Sequence, residues 1–218
     1  MRIDRASLLR LAFVLPILSA CQTVPEAPPP LSSEPPAAEA WRSVARPADA
    51  DRIARLGGAW EAGLAEARRG GFGTRIAELG LALTPAIGQP RAAPPPGPYR
   101  CRVIRLGAGP GRRALTVYPA HFCHVGVEGA LLSFTKQSGS EQFGGYLFAD
   151  SDARLIFLGT MMTARDERAP PYGEEEAREL AGVVERVGLM RYRLLLPWPR
   201  NGAKLDVIEL VPAPPALD

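Results

Sequence analysis

Residues Ala181–Pro197, AGVVERVGLMRYRLLLP, decide the fold. Met190, Tyr192, Leu194 and Leu196 alternate with Arg191 and Arg193, the period of two that marks a half-buried strand. The preceding run, Gly182–Val187, is short and rich in β-branched side chains, and Gly188 between the two runs supplies the positive φ of a hairpin turn. The chain back to Tyr99 reads as more strands of the same sheet.

That period recurs at Tyr99–Leu106, at Leu115–Tyr118 with a ragged continuation to Val125, and at Leu131–Gln137, Phe143–Phe148 and Arg154–Met161. Ala181–Val187, Met190–Leu196 and Leu205–Val211 complete the set. Turn signals stand between them at Gly107–Gly111, Gly126–Gly129, Gly139–Glu141, Asp150–Asp152, Pro170–Gly173 and Asn201-Gly202, and Glu174–Arg178 has room for one helical turn. Parallel crossovers need intervening helices, for which these connections are too brief. The fold class is therefore α+β, mainly β: an antiparallel eight-stranded up-and-down barrel-like sheet of lipocalin-like size, preceded by two helices. Arg154–Met162 is apolar on both faces, which suits either a ligand-holding or a side-chain-filled barrel.

The first helix spans Pro47–Arg69, with Ile53, Leu56, Trp60, Leu64 and Ala67 on one face and Arg52, Arg55, Glu61, Glu66 and Arg68 on a solvated one. Asp49 or Asp51 caps its start and Gly70-Gly71 ends it. A shorter helix is expected at Thr74–Leu83, burying Ile76, Leu79 and Leu83. Pro85–Pro98, with six prolines, terminates the helical part. The helices pack on the sheet or plug one end of the barrel.

A chain of 218 residues, 46% hydrophobic, can bury a real core. Its N-terminus reads as a targeting segment: Arg2, Arg5 and Arg10, an apolar run Leu11–Leu18 too short to span a bilayer, and Leu18-Ser19-Ala20-Cys21. The last four resemble the bacterial lipoprotein signal, in which the cysteine becomes the lipid-bearing N-terminus. Gln22 in place of an aspartate points to an outer-membrane anchor, with the domain facing the periplasm. Without residues 1–20 the chain carries 23 basic against 22 acidic residues, which gives no electrostatic footprint for nucleic acid. The expected organisation is a signal segment at 1–20, a proline- and alanine-rich tether at 21–40, a helical segment at 41–84, a proline-rich linker at 85–98, the β domain at 99–212 and a tail at 213–218.

Several motifs stand in an ordered series. They are Pro98-Tyr99-Arg100-Cys101-Arg102 with Leu106-Gly107, Phe157-Leu158-Gly159, Pro171-Tyr172-Gly173, Ala181–Arg186, and Leu205–Pro212. Together, from about Trp41 to Pro212, they resemble an uncharacterised proteobacterial lipoprotein family known as a domain of unknown function, DUF4893. Relatives carry a basic residue where this chain has Gln142 after Gly139-Ser140-Glu141. The resemblance implies placement in the envelope and transfers no function, because the family carries no assigned activity.

Candidate chemistry is sparse. Cys101 and Cys123, the cysteines left once Cys21 carries lipid, form an even pair on consecutive strands, which in an oxidising envelope reads as a disulfide. The competing reading takes His121, Cys123 and His124 as metal ligands, although strand geometry points His124 away from the other two. Lys136–Ser140 reads as a hairpin turn, and Gly144-Gly145 as a bulge or sharp bend. Glu185 is the informative carboxylate. Either it faces inward between Val183 and Val187 and needs Arg191 or Arg193 as partner, or Val184 faces inward and Glu185 pairs with an arginine on the surface. Glu209 and Arg105 pose the same question.

With no catalytic constellation and no cofactor motif, the expected function is a non-enzymatic envelope module. It binds a small apolar ligand or an envelope protein, with Glu185, Arg191 and Arg193 as ligand-facing candidates. A hydrolase or metal-dependent enzyme using His121, His124 or Glu185 is the alternative, and a structural scaffold partner the third.

Overall fold

The computed structural model describes residues 40–107 and 111–214, so the expected signal segment, Cys21 and residues 22–39 lie outside the described residues, as do 215–218. Eight strands form a closed barrel: β1 (Gly97–Leu106), β2 (Leu115–Glu128), β3 (Leu131–Lys136), β4 (Phe143–Ser151), β5 (Arg154–Met161), β6 (Glu179–Gly188), β7 (Arg191–Pro197) and β8 (Leu205–Pro212). Each strand pairs antiparallel with the next, and β1 closes the ring on β8 with Tyr99 opposite Pro212 and Leu106 opposite Leu205.

The barrel interior is a packed core. Phe134, Phe143 and Phe157 meet with ring centroids 5.8–6.0 Å apart, and Tyr99 meets Tyr192 edge to face at 6.4 Å. Cys101 and Cys123 are joined by a disulfide among these side chains. The register sets Tyr99 opposite Cys123 and Cys101 opposite His121, so the bridge runs diagonally on the inner face. Closing a segment with a sequence separation of 22 contributes about 3 kcal/mol on a chain-entropy basis. Gly145 and Gly159 face each other where β4 and β5 approach so closely that a Cβ on Gly145 would lie 2.2 Å from the Leu158 carbonyl. The ladder is regular there, so Gly144-Gly145 is a point of close approach; the bulge in β4 falls between Ala149 and Ser151.

The second core lies outside the barrel. Ile104, Leu106, Ile156, Leu158, Val183, Leu195, Leu205 and Val207 point outward and are covered by helices α1 (Ala40–Val44), α2 (Pro47–Ala54), α3 (Leu56–Arg69) and α4 (Gly73–Leu79). This explains strands apolar on both faces: one face fills the barrel and the other is roofed. The helices sit on the wall and do not plug an end. The helix expected over Pro47–Arg69 breaks at Arg55, whose φ and ψ of −88° and 17° leave the α region. Gly57-Gly58 weakens the helix just beyond, and the Trp198 indole donates to the Arg55 carbonyl at 3.3 Å. Gly80–Leu83 continues α4 as a 3-10 turn.

The two barrel ends differ. The loop end carries the β1–β2, β3–β4, β5–β6 and β7–β8 connections. The hairpin end carries the tight turns β2–β3, β4–β5 and β6–β7, with the start of β1 and the end of β8. Residues 89–97 cross the hairpin end. Gln89 bridges to Arg186, the Ala92 amide donates to the Asp152 carbonyl at 3.0 Å, and the Tyr99 hydroxyl donates to the Pro95 carbonyl at 2.7 Å. The β4–β5 turn and β1 stand on opposite sides of the ring, so the segment spans it, with Ala92 and Pro94 buried. Prolines suit a strap that has no ladder to join. In the β6–β7 turn the positive φ belongs to Met190, at 50°, and not to Gly188, where the register shifts instead.

Burial, reinforced by Tyr192, pushes the Tyr99 hydroxyl up to about 12, against about 10 in an unfolded chain. The folded value is raised, so this contribution is whole below pH 10 or so and is lost as pH rises through about 12. Urea unfolding at about pH 9 and about pH 11.5 should show the Tyr99→Phe variant losing less stability across that interval, by on the order of 2 kcal/mol. Equal losses in the two chains would contradict the assignment.

Candidate functional site

The β6–β7 register sets Glu185 directly opposite Arg193. Val184 points into the barrel and Val183 out of it, so the Glu185–Arg193 pair lies on the outer face. That face is roofed here, and Arg193 is fully buried. The surface pairing expected for Glu185 thus has the correct face, but its arginine is shut away from solvent by α3 and the turn after α4. Arg193 Nε and Nη2 donate to Glu185 Oε2 at 3.0 and 2.7 Å. Its Nη1 donates to the carbonyls of Leu81, Ala82 and Thr84 at 3.1, 3.2 and 2.8 Å, which satisfies the end of the 3-10 turn. The guanidinium also lies 5.0 Å from the centroid of Trp60 on α3. Burial lowers the Arg193 guanidinium from its ordinary value and the Glu185 charge opposes that shift; an arginine stays protonated throughout.

This pair belongs to a charge ladder on the outer wall. Arg102 stands opposite Glu209, Glu209 opposite Arg193, and Arg193 opposite Glu185. Arg102 bonds Glu209, and Arg191 reaches Glu209 at 3.8 Å without approaching Glu185. On β5, Leu155 pairs with Val184, which sets Arg154 beside the Glu185 rung. Arg154 Nε donates to Asp150 at 2.6 Å, and Asp150 accepts the Trp41 indole N–H at 2.7 Å. The ladder therefore alternates in sign from β1 round to β4 and ends on the buried tryptophan that fastens α1.

Between α2, α3, Pro85-Ala86 and this ladder lies an open cavity of about 600 Å³. Ile53, Leu56, Trp60 and Leu64 form its apolar side, and Glu61, Arg68, Arg154 and Glu185 its polar side. Its size and mixed lining suit a small amphiphilic molecule. Gly57 lines it too, and no atom lies within 4 Å of where a Cβ on that residue would stand, so the space there is open.

The loop end holds a smaller cavity of about 110 Å³, lined by Val103, Phe143, Leu196 and Ile208 beneath Glu141, Asp206 and Arg200. Arg105 points into this end. It donates to Asp206 through Nε and Nη2, both at 2.8 Å, and to Glu141 at 2.9 Å. Burial alone would lower the Arg105 guanidinium; the bonds and charges of Asp206 and Glu141 outweigh it and raise it above its ordinary value. Lys136, also buried, donates to the Ser138 and Glu141 carbonyls at 2.6 and 2.8 Å, and burial pushes its ammonium down. These two cations hold the β3–β4 turn over the barrel mouth. A third cluster docks α2: Tyr172 donates to Asp49, Arg52 bonds Asp49, and Arg46 bonds Glu179, all around Pro171-Tyr172-Gly173.

The histidines assemble no site. Cys123 is committed to the disulfide, His121 packs under Gly139 and His124 is exposed, so the three do not meet as ligands. Among the described residues no cluster of three or more His, Cys, Asp or Glu could hold a metal ion. Glu185, on β6, is remote from both histidines on β2. Sequence reading missed Trp60 as a cavity wall and Asp206–Arg105–Glu141 as a mouth network. The signal for the first was Leu195 and Val183 sharing a face with Arg193 and Glu185, which marks that face as covered.

A family model described as a domain of unknown function, DUF4893, matches residues 41–210, from the buried Trp41 to the buried Leu210 of β8. No curated protein and no solved structure matches the chain.

Removing one partner of a buried ion pair costs about 3–5 kcal/mol, so Arg193→Met should destabilise the fold by that amount in urea unfolding. Glu185→Gln keeps an acceptor for the guanidinium but leaves its charge buried without a counter-charge, so it should cost a comparable amount. An Arg193→Met loss under about 1 kcal/mol would show that the helical roof holds without it.

Proposed function

The chain belongs to the family described as a domain of unknown function, DUF4893, and on that premise we propose that it is a lipid-anchored binding module of the proteobacterial cell envelope. In this reading Cys21 carries the lipid, the outer membrane holds it, and the domain faces the periplasm. The Cys101–Cys123 disulfide supports an oxidising compartment. The ligand is a small amphiphile, bound without chemical turnover.

One observation carries the binding reading: the cavity of about 600 Å³ beneath α3, where an apolar wall containing Trp60 faces Glu185 and Arg154. The barrel interior is occupied by aromatic rings and the disulfide and keeps only about 110 Å³ at its loop end, so the roofed outer wall offers the larger seat. An apolar body would lie against Trp60, Leu56 and Leu64, while charged groups would meet Arg68 and Arg154 or Glu61 and Glu185. The hydrolase alternative finds no such support, because Glu185 and the two histidines lie on strands far apart in the ring.

The test uses 1-anilinonaphthalene-8-sulfonate, an apolar fluorophore with one anionic group. The native chain should bind it saturably at one site. Gly57→Phe, at an open position on the cavity wall, should weaken binding at least about tenfold while leaving the unfolding midpoint near that of the native chain. Unchanged binding in that variant would exclude the cavity as the seat of the ligand. Intact mass of membrane-extracted protein, compared with Cys21→Ser, tests the anchor separately.

A further inference from the structure

The β6–β7 turn carries Leu189 and Met190 at its tip, 89% and 43% exposed. Hairpin tips are ordinarily built from asparagine, aspartate or glycine, and Met190 adopts a left-handed conformation, φ 50°, that methionine disfavours. Two large apolar side chains at this turn therefore serve something other than the turn. They are not isolated. Leu81 approaches Gly188 beside them and Val211, near the end of β8, stands next to Arg191; both are exposed at the same hairpin end.

Cations surround this tip. Arg186 and Arg191 flank it on β6 and β7, Arg100 lies opposite Val211 on β1, and Arg91 sits exposed farther along the strap, beside the β4–β5 turn. On the tip's own side Glu209 of β8 is held by Arg102 and lies 3.8 Å from Arg191, while Glu128, Asp150 and Asp152 belong to the β2–β5 side of the ring. They accept from Tyr146, from Trp41 and Arg154, and from the Arg91 amide respectively. The sector from β6 to β1 is thus apolar at its tip, with Arg100, Arg186 and Arg191 set against the one carboxylate of Glu209 beside them. The described chain also begins here, because Trp41 is fastened to Asp150 beside the β4–β5 turn.

We propose that the hairpin end is a membrane-docking face, with Leu189 and Met190 entering the interface of an anionic bilayer and Arg91, Arg100, Arg186 and Arg191 meeting its phosphates. The choice of bilayer rests on the reading of Cys21 as a lipid anchor; the face itself does not. Residues 22–39 would reach as far as about 60 Å if extended, so an anchor alone does not press this end against lipid. The apolar tip and its arginines supply the orientation.

The test places an environment-sensitive nitrobenzoxadiazole label on the full chain through Leu189→Cys, and separately through Ser140→Cys on the β3–β4 turn at the opposite end. Each is mixed with vesicles of phosphatidylethanolamine and phosphatidylglycerol. The label at position 189 should shift to shorter wavelength and be quenched by spin-labelled lipid, while that at 140 should do neither. In the Cys21→Ser chain, which removes any anchor, Arg191→Glu should lower vesicle partitioning on the order of fivefold or more, and salt should weaken it further. Equal exposure of the two labels on vesicles would overturn the proposal. So would shielding of position 189 without vesicles that grows with protein concentration, which assigns the face to a second copy of the chain. An intact mass lacking lipid on Cys21, with position 189 still inserting, would discard the anchor and keep the docking face.

Discussion

A guanidinium buried to 0% exposure on the outer wall of a barrel has to be satisfied on every side, and Arg193 is. Two of its donors take Glu185 from the neighbouring strand, and a third reaches three carbonyls at the end of the helical segment. Its face lies against Trp60. The strand wall, α3 and the turn after α4 are thereby tied to one planar group. Apolar contact alone is non-directional and would let the helices slide on a wall of leucine and valine. The ion pair with its carbonyl fan admits one position. Its desolvation cost is substantial, so its value lies in fixing where the roof sits more than in added stability.

The placement of the roof follows from what fills the barrel. Three phenylalanines, two tyrosines and a disulfide occupy the interior, and the proline-rich strap closes the hairpin end. No room remains inside for a helix, while β5 to β8 still present apolar side chains outward. Helices laid on that wall bury them. The cavity beneath α3 arises where the roof spans from the helix to Pro85-Ala86 over a charged part of the wall. A filled barrel is thus a rigid platform, and the adaptable space lies between platform and roof.

Much of this was legible in the chain. Strand alternation placed all eight strands, and Arg154–Met161 agrees at both ends. The apolar face of α2 and α3, from Ile53 to Ala67, is the buried one. What escaped were features set by tertiary contact. Alternation shows that Arg193 and Leu194 face opposite ways, but not that a helical layer covers the arginine. Gly188 carried the turn signal, yet a bulge absorbed it and Met190 took the left-handed conformation. Arg55 interrupts a helix whose periodicity runs straight through it, at the point where its carbonyl accepts from Trp198, over a hundred positions later, as well as from the Ala59 amide. Asp49, read as a cap, is instead a buried partner of Tyr172.

The central claim is that Arg193 fixes the helical roof to the barrel and so creates the cavity. Amide hydrogen exchange of the native chain and of Arg193→Met, followed residue by residue, tests it most directly. If Arg193 holds the roof, Arg193→Met loses protection in α3, α4 and the Gly80–Leu83 turn, while the ladders of β1 to β4 keep theirs. Uniform loss across barrel and helices, or unchanged protection in the roof, would contradict it.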